Sequence, residues 1–202
     1  MTKRDKTGIR LGNMTKKNAI TQGNAAGQDT RQRLIASAVR HFAADGFAAA
    51  SQRAIQRDAG VNPASAHYHF GSKAALYRAT IENFIHGVQE ERLRRHAALP
   101  KGMPAPEFLE RLLYDYFWPG IAIAADREGY HYALILARLQ GEMPGEATSI
   151  FLDVARPVRN IYLDTLQTIF PDAPRRDLET NLAAGVALMA TVPRRNPPNS
   201  IP

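Results

Sequence analysis

The sequence predicts an all-α protein: a small helix-turn-helix unit near the front and a larger helical bundle behind it. Three observations carry this. Apolar residues recur at three- and four-residue spacing over most of residues 29–192, and no alternating run of strand type occurs. Ser51, Asn62 and Ser72, good helix N-caps, each stand directly before such a segment. Glycine and proline fall between the periodic stretches, at Gly46, Gly60, Gly71 and residues 100–106.

Taken in order, residues 1–28 are rich in Lys, Asn, Gly, Thr and Gln without apolar periodicity, and are expected to be a disordered basic tail. Two readings stand for them: a basic arm that follows a nucleic-acid backbone or enters a minor groove, or a passive tail. In the second, translation starts equally well at Met14, followed by Thr15, Lys16 and Lys17. The first helix is expected over 29–44, capped by Asp29 or Thr30, with Leu34, Ile35, Ala38, Val39 and Phe42 as its buried stripe. Gly46 ends it. Ser51 caps the second helix, whose Ile55 and Ala59 face inward. Gly60 makes the turn. Asn62 caps the third, with Pro63 at the first helical position, where a missing N–H costs nothing. Ser72 caps a fourth helix reaching about Ala97, with Leu76, Ile81, Phe84, Ile85 and Val88 before a basic end at Arg92, Arg94 and Arg95.

Residues 99–106 form a proline/glycine connector. Further helices are expected at 106–118, 127–140, 146–170 and 174–192, with Pro119-Gly120 breaking or kinking the first. The third is the clearest amphipath, from Ile150 and Phe151 to Ile169 and Phe170. Residues 193–202 contain four prolines and read as a flexible tail. The domain division is thus 1–28, 29–75, 76–192 and 193–202.

The 202 residues, 45% hydrophobic, suit one or two small domains with a real core. No cysteine is present, which excludes disulfides and thiolate metal sites and suits a reducing, cytoplasmic setting. No apolar run approaches the roughly 18–20 residues of a membrane span, and the basic N-terminus lacks the apolar core of a signal peptide. No membrane partner is expected. Charge is unevenly spread: +5 over residues 1–28, +4 over 29–97, −4 over 98–192 and +2 over the last ten. A basic front and an acidic back suit a chain whose first part meets phosphates and whose second does not.

Two short helices joined at Gly60 are what a protein needs to seat one helix end in a major groove while the other braces it. Residues 30–77 resemble the DNA-binding domain of the TetR (tetracycline-repressor) family of bacterial transcription regulators. The landmarks are residues 33–38, Phe42, Gly46-Phe47, Ser51, Ile55, Ala59-Gly60-Val61, Tyr68-His69-Phe70, Ser72-Lys73 and Leu76-Tyr77. They cover about a quarter of the chain. Two positions depart from the pattern: Gln56 replaces a customary alanine, and Ala50-Ser51-Gln52 replaces a Thr-Ser/Thr-Val run. Residues 132–192 resemble the PsrA-like branch, whose regulators respond to fatty-acid or other hydrophobic signals.

The resemblance implies a three-helix DNA-binding domain followed by a helical ligand-binding and dimerisation domain. The expected partners are double-stranded operator DNA, a second copy of the chain and a small-molecule effector. The expected DNA-binding residues are Ser51, Arg53, Asn62, Pro63, Ala64, Ser65, His67, Tyr68 and Lys73. Tyr68 and Lys73 match the family's phosphate-contacting pair. Arg53 suits a guanine or a phosphate, Asn62 and Ser65 suit base edges or phosphates, and Ala64 suits a thymine methyl. In such proteins two helices usually build the dimer contact. Either 146–170 and 174–192 fill that role, or the chain is shortened at its end.

For the effector, Tyr114, Phe117, Trp118, His131, Ile135 and Phe151 offer an apolar wall with polar handles, joined by Tyr116, Tyr132, Leu136 and Met143. The same residues also suit a helical core. Trp118 is favoured, because a break at Pro119-Gly120 would leave room beside its ring. Arg138 or His131 would pair with an acidic ligand, or Arg138 would make a surface salt bridge. No cofactor or metal is expected: His67 and His69, two apart on a helix, face different sides, and no further ligand cluster completes a shell. Enzyme signatures such as a glycine-rich phosphate loop or a nucleophile elbow do not occur. The expected function is therefore a repressor released from a palindromic operator by a small hydrophobic or amphipathic ligand. The alternatives are a ligand sensor with a degenerate helix-turn-helix, or a helical enzyme with a nucleic-acid tether.

Overall fold

The computed structural model describes residues 22–124, 129–141 and 143–191. The expected tails before residue 22 and after residue 191 lie outside the described residues. Every regular element among those described is helical: α1 Gln22–Ala49, α2 Gln52–Asp58, α3 Pro63–Phe70, α4 Lys73–Ala97, α5 Ala105–Ala124, α6 Gly129–Gly141, α7 Glu146–Ile169 and α8 Arg175–Thr191.

The local signals act as their chemistry requires at three starts. The Ser51 side chain accepts from the Ala54 N–H, Asn62 Oδ1 from Ser65 N–H at 2.8 Å, and Ser72 Oγ from Ala75 N–H at 3.1 Å. The expected start of α1 is corrected. Asp29 does not cap the helix but pairs with Arg33 at 3.0 Å, one turn on, and the helix extends back to Gln22. Gly46 adopts φ 75°, ψ 171°, a conformation open chiefly to glycine, and interrupts α1 where its end was expected.

Two cations hold the carbonyl-rich end of α1. Arg138 on α6 donates to the Ala43 carbonyl at 2.8 Å and also to that of Ala44. Lys73 at the start of α4 donates to Ala48 and Ala50 at 2.9 and 3.3 Å, with its ammonium over the Phe47 ring.

One apolar core runs from the first helices into the second half. Leu34, Phe42, Ile55, Leu76, Tyr77 and Ile81 join Ile135 of α6 and Ile150 of α7. A second core joins Leu112 and Tyr116 of α5 to Tyr162 and Leu166 of α7 and Leu182 of α8. Helix α4 links them, passing from Ser72 beside the turn unit to Ala97 in the bundle and packing most extensively against α7.

The expectation that Pro119 breaks or kinks its helix is corrected as to the break: α5 continues to Ala124. The physical reason lies on α4. A proline cannot donate to the helix and strains the carbonyls of the preceding turn. The carbonyl left without its helical donor is that of Asp115, four residues before Pro119, and Arg92 Nε supplies the neighbouring Tyr116 carbonyl at 2.7 Å. At Pro157 within α7 the same device recurs, with Gln89 Nε2 donating to the Val154 carbonyl at 2.8 Å. Both donors come from α4, so both prolines turn a weakened helix into an inter-helix contact.

Candidate nucleic-acid interface and interior cavity

The α2–α3 unit is fixed from behind and open in front. Ile55 is fully buried and Ala66 nearly so, anchoring each helix on the core. Ser37 Oγ lies 2.8 Å from Asp58 Oδ2 and 3.0 Å from the Ile55 carbonyl, and Arg40 pairs with Asp58 at 2.5 Å. Hydrogen bonds from Arg40 and then Ser37 hold the Asp58 carboxyl below its ordinary range. Arg33 Nη1 donates to the Ala59 carbonyl at 3.2 Å, closing the end of α2. At Gly60, φ is 63°, in the left-handed region the tight turn needs.

On the outer side, Ser51, Arg53, Asn62, Pro63, Ala64, His67 and Tyr68 are exposed, and Ser65 and Lys73 are partly so. Tyr68 is 86% exposed, far more than a core tyrosine allows. Asn62 and Ser51 use one oxygen in capping but keep their donors for a phosphate or base. Lys73 differs from its neighbours: two carbonyls of the α1 end occupy its ammonium, so it braces the unit as well as standing beside its surface. Between α2 and α3 lies a shallow cleft bordered by Arg53, Gln56, Arg57, Pro63 and His67. Arg57 was not among the expected residues. It follows Arg53 by four positions on the same helix face, which was the available signal. Gln56, which also borders the cleft, is largely buried.

Residues 34–80, from α1 into α4, match the family model described as "Bacterial regulatory proteins, tetR family". Over these residues the chain carries a TetR-type helix-turn-helix domain. A stretch of 73 residues is 36% identical to the HTH-type transcriptional regulator BetI of Rhizobium meliloti (strain 1021), covering 35% of this chain and 36% of that protein. The chain therefore matches little more than a third of that relative's length. A TetR-family regulator from Streptomyces coelicolor A3, known from a crystal structure, is 18% identical and aligns over 86% of this chain and 99% of its own, with a TM-score of 0.40. Among the described residues the fold is all-helical, the TetR-type helix-turn-helix being followed by further helices.

Behind the turn unit, α4 to α8 enclose a cavity of about 420 Å³. Its wall is mainly apolar, with Phe84 and Val88 from α4, Leu136 from α6, Phe151 from α7 and Met189 from α8. Of the residues first singled out for an effector, Phe151 lines it, with Tyr116 and Leu136 from the wider set. The others lie elsewhere. Trp118 stacks on the half-exposed Tyr114 ring at 5.5 Å, nearly parallel, because the helix break that would have opened space beside it does not form. Phe117 packs on Gly185 of α8. Ile135 belongs to the core behind the turn unit, Arg138 holds the end of α1, and His131 is half-buried. Burial, with the nearby Arg40 charge, pushes the His131 pKa down.

The cavity residues that the sequence reading did not assign to an effector include two arginines, Arg92 and Arg159. Arg92 continues the apolar stripe of Ile81, Ile85 and Val88, so its helical position pointed inward although its charge suggested surface. It is only 6% exposed, and its guanidinium lies over the Tyr116 ring at 4.1 Å. Burial lowers its pKa, but an arginine stays cationic in proteins.

Among the described residues, no group of three or more His, Cys, Asp or Glu is arranged to hold a metal ion. No helix among them is long and apolar enough to cross a membrane.

Proposed function

We propose that this protein is a homodimeric TetR-family repressor that reads a pseudo-palindromic operator and leaves it when a small amphipathic molecule fills the cavity. The observation that carries the reading is the path of α4. Its capped start abuts the turn unit, and Phe84, Val88 and Arg92 line the cavity farther along. A molecule that shifts α4 would shift the recognition helices with it. Two copies on a two-fold axis would place their α3 helices in successive major grooves, roughly 34 Å apart. Coupling of only about 1–3 kcal/mol would change operator affinity roughly 5–150-fold, and the effect must be reciprocal. The division at residues 29–75 and 76–192 belongs to the same proposal, the first part reading DNA and the second sensing and pairing. A cytoplasmic location follows from the role.

The test is fluorescence anisotropy of the purified protein with the intergenic DNA upstream of its own gene, against unrelated DNA at about physiological salt. A preference of about 10³-fold or more, with binding that weakens steeply as salt rises, is the expected result. Equal, salt-sensitive binding to all DNA would overturn specific recognition at that site.

A further inference from the structure

The cavity carries charge that its own walls leave unanswered. Arg92 uses Nε on the Tyr116 carbonyl, and no ion pair joins it to a carboxylate among the described residues.

 Only 6% of Arg92 reaches solvent. The carboxylates closest to it in the fold are already committed. Glu91 accepts from Arg94 and Arg95, and the fully buried Asp115 pairs with Arg95 at 3.1 Å and Arg111 at 2.7 Å. Arg159, on the α7 wall of the same cavity, has a buried Nε with no hydrogen-bond partner. No acidic side chain lines the cavity among the described residues.

A buried cation without a counter-charge is costly, and an unmade hydrogen bond at a buried N–H adds to that cost. An oxyanion offers both the charge and the acceptors, and arginine's planar fork matches a carboxylate with two parallel hydrogen bonds. The rest of the wall, including Val88, Leu136, Phe151 and Met189, asks for a hydrocarbon or aromatic body. A methyl group placed on Gly120 would stand 3.5 Å from Met189 Cε and 3.7 Å from Arg92 Nη2, so this face of the guanidinium is packed by α5 and α8.

We propose that the cavity takes a small single-headed amphiphilic carboxylate, its head held by Arg92 and Arg159 and its apolar body lying along α4, α6 and α7. This deepens the effector role proposed above and rests on it. Cations would be rejected by the two arginines, and neutral amphiphiles would bind through the apolar wall alone.

The test is isothermal titration calorimetry of the full chain without DNA, using octanoate, decanoate and dodecanoate, the matching alcohols, and decyltrimethylammonium. The expected result is a preference of about tenfold or more for carboxylate over alcohol at the best chain length, and no binding of the cation. Arg159→Gln should reduce that preference to about threefold or less. Its Nε has no native partner to lose, so its fold should survive. Arg92→Met, checked for an intact helical spectrum, should act in the same direction. Equal binding of carboxylate and alcohol, an undiminished preference in Arg159→Gln, or no binding by any probe would overturn the proposal. Operator binding measured with and without the carboxylate separates the two readings. A carboxylate that binds through the arginines yet leaves operator affinity unchanged upholds the ligand class and removes induction.

Discussion

The Tyr162 hydroxyl donates to the backbone carbonyl of Arg92 at 2.8 Å, tying the middle of α7 to the turn of α4 that faces the cavity. Tyr162 is 1% exposed, and its oxygen also lies 3.5 Å from the Asp115 carbonyl, the one that Pro119 cannot serve. Burial, chiefly, drives its pKa well above the ordinary phenol range, so it remains a donor at every practical pH. Tyr162→Phe keeps the ring and removes the donor. The expected loss is about 1 kcal/mol, a fall of roughly 2–4 °C in Tm for a chain of this size. Thermal and urea unfolding measure it, and an unchanged midpoint would show that the hydroxyl bond contributes nothing.

Helices α5 and α8 meet through a glycine. A methyl group added at Gly185 would fall 2.3 Å from the Phe117 ring, far inside contact distance. Gly185→Ala is therefore expected to destabilise by about 1–3 kcal/mol, the usual cost of overpacking. Shortening the ring with Phe117→Leu should relieve part of that cost, so Gly185→Ala should be milder in that background. Strictly additive effects in the double-mutant cycle would mean that the two positions do not touch.

What could be read from the sequence and what could not divides by distance along the chain. Ser51, Asn62 and Ser72 cap helices whose own N–H groups lie three residues away, so the turn unit and its exposed residues were legible. Pro119 was expected to break or kink its helix, and the break does not form: Arg92, in another helix, serves a carbonyl of the turn before it. The favoured place of Trp118 rested on that break and fell with it. Arg138 and Lys73 carry no local sign that they would close the end of α1. Arg92 and Arg159 were hidden by their charge, since a long basic side chain ordinarily marks solvent. Only the stripe of Ile81, Ile85 and Val88 points to Arg92 as an inward position.

Tyr68 and Lys73 were matched as a pair, yet they have different surroundings, and the contrast can be measured. Tyr68 is 86% exposed, so Tyr68→Ala should leave stability within about 0.5 kcal/mol while operator affinity falls about tenfold or more. Lys73→Ala should cost roughly 1.5 kcal/mol of stability, because the carbonyls of Ala48 and Ala50 lose their donor. If Lys73 also reaches a phosphate, the salt slope of operator binding should drop by about one. Equal stability of the two variants would contradict the bracing role of Lys73.

Glu91 supplies a pH signature. Burial pushes its carboxyl pKa up, but hydrogen bonds from Arg94 and Arg95 outweigh this and hold it below the ordinary value. In the acid range the unfolded chain therefore takes up the proton first. The stabilisation is complete above the unfolded pKa, about 4.3, and is lost as pH falls through the lower folded value. Glu91→Gln should be less stable than the parent at pH 7. The difference should shrink as pH drops below about 4, because the unfolded parent then takes up a proton that the folded parent still lacks. Urea unfolding of both proteins at pH 7, 5, 4 and 3.5 gives the difference directly. A gap that stays constant across that series would mean that Arg94 and Arg95 do not depend on the Glu91 charge.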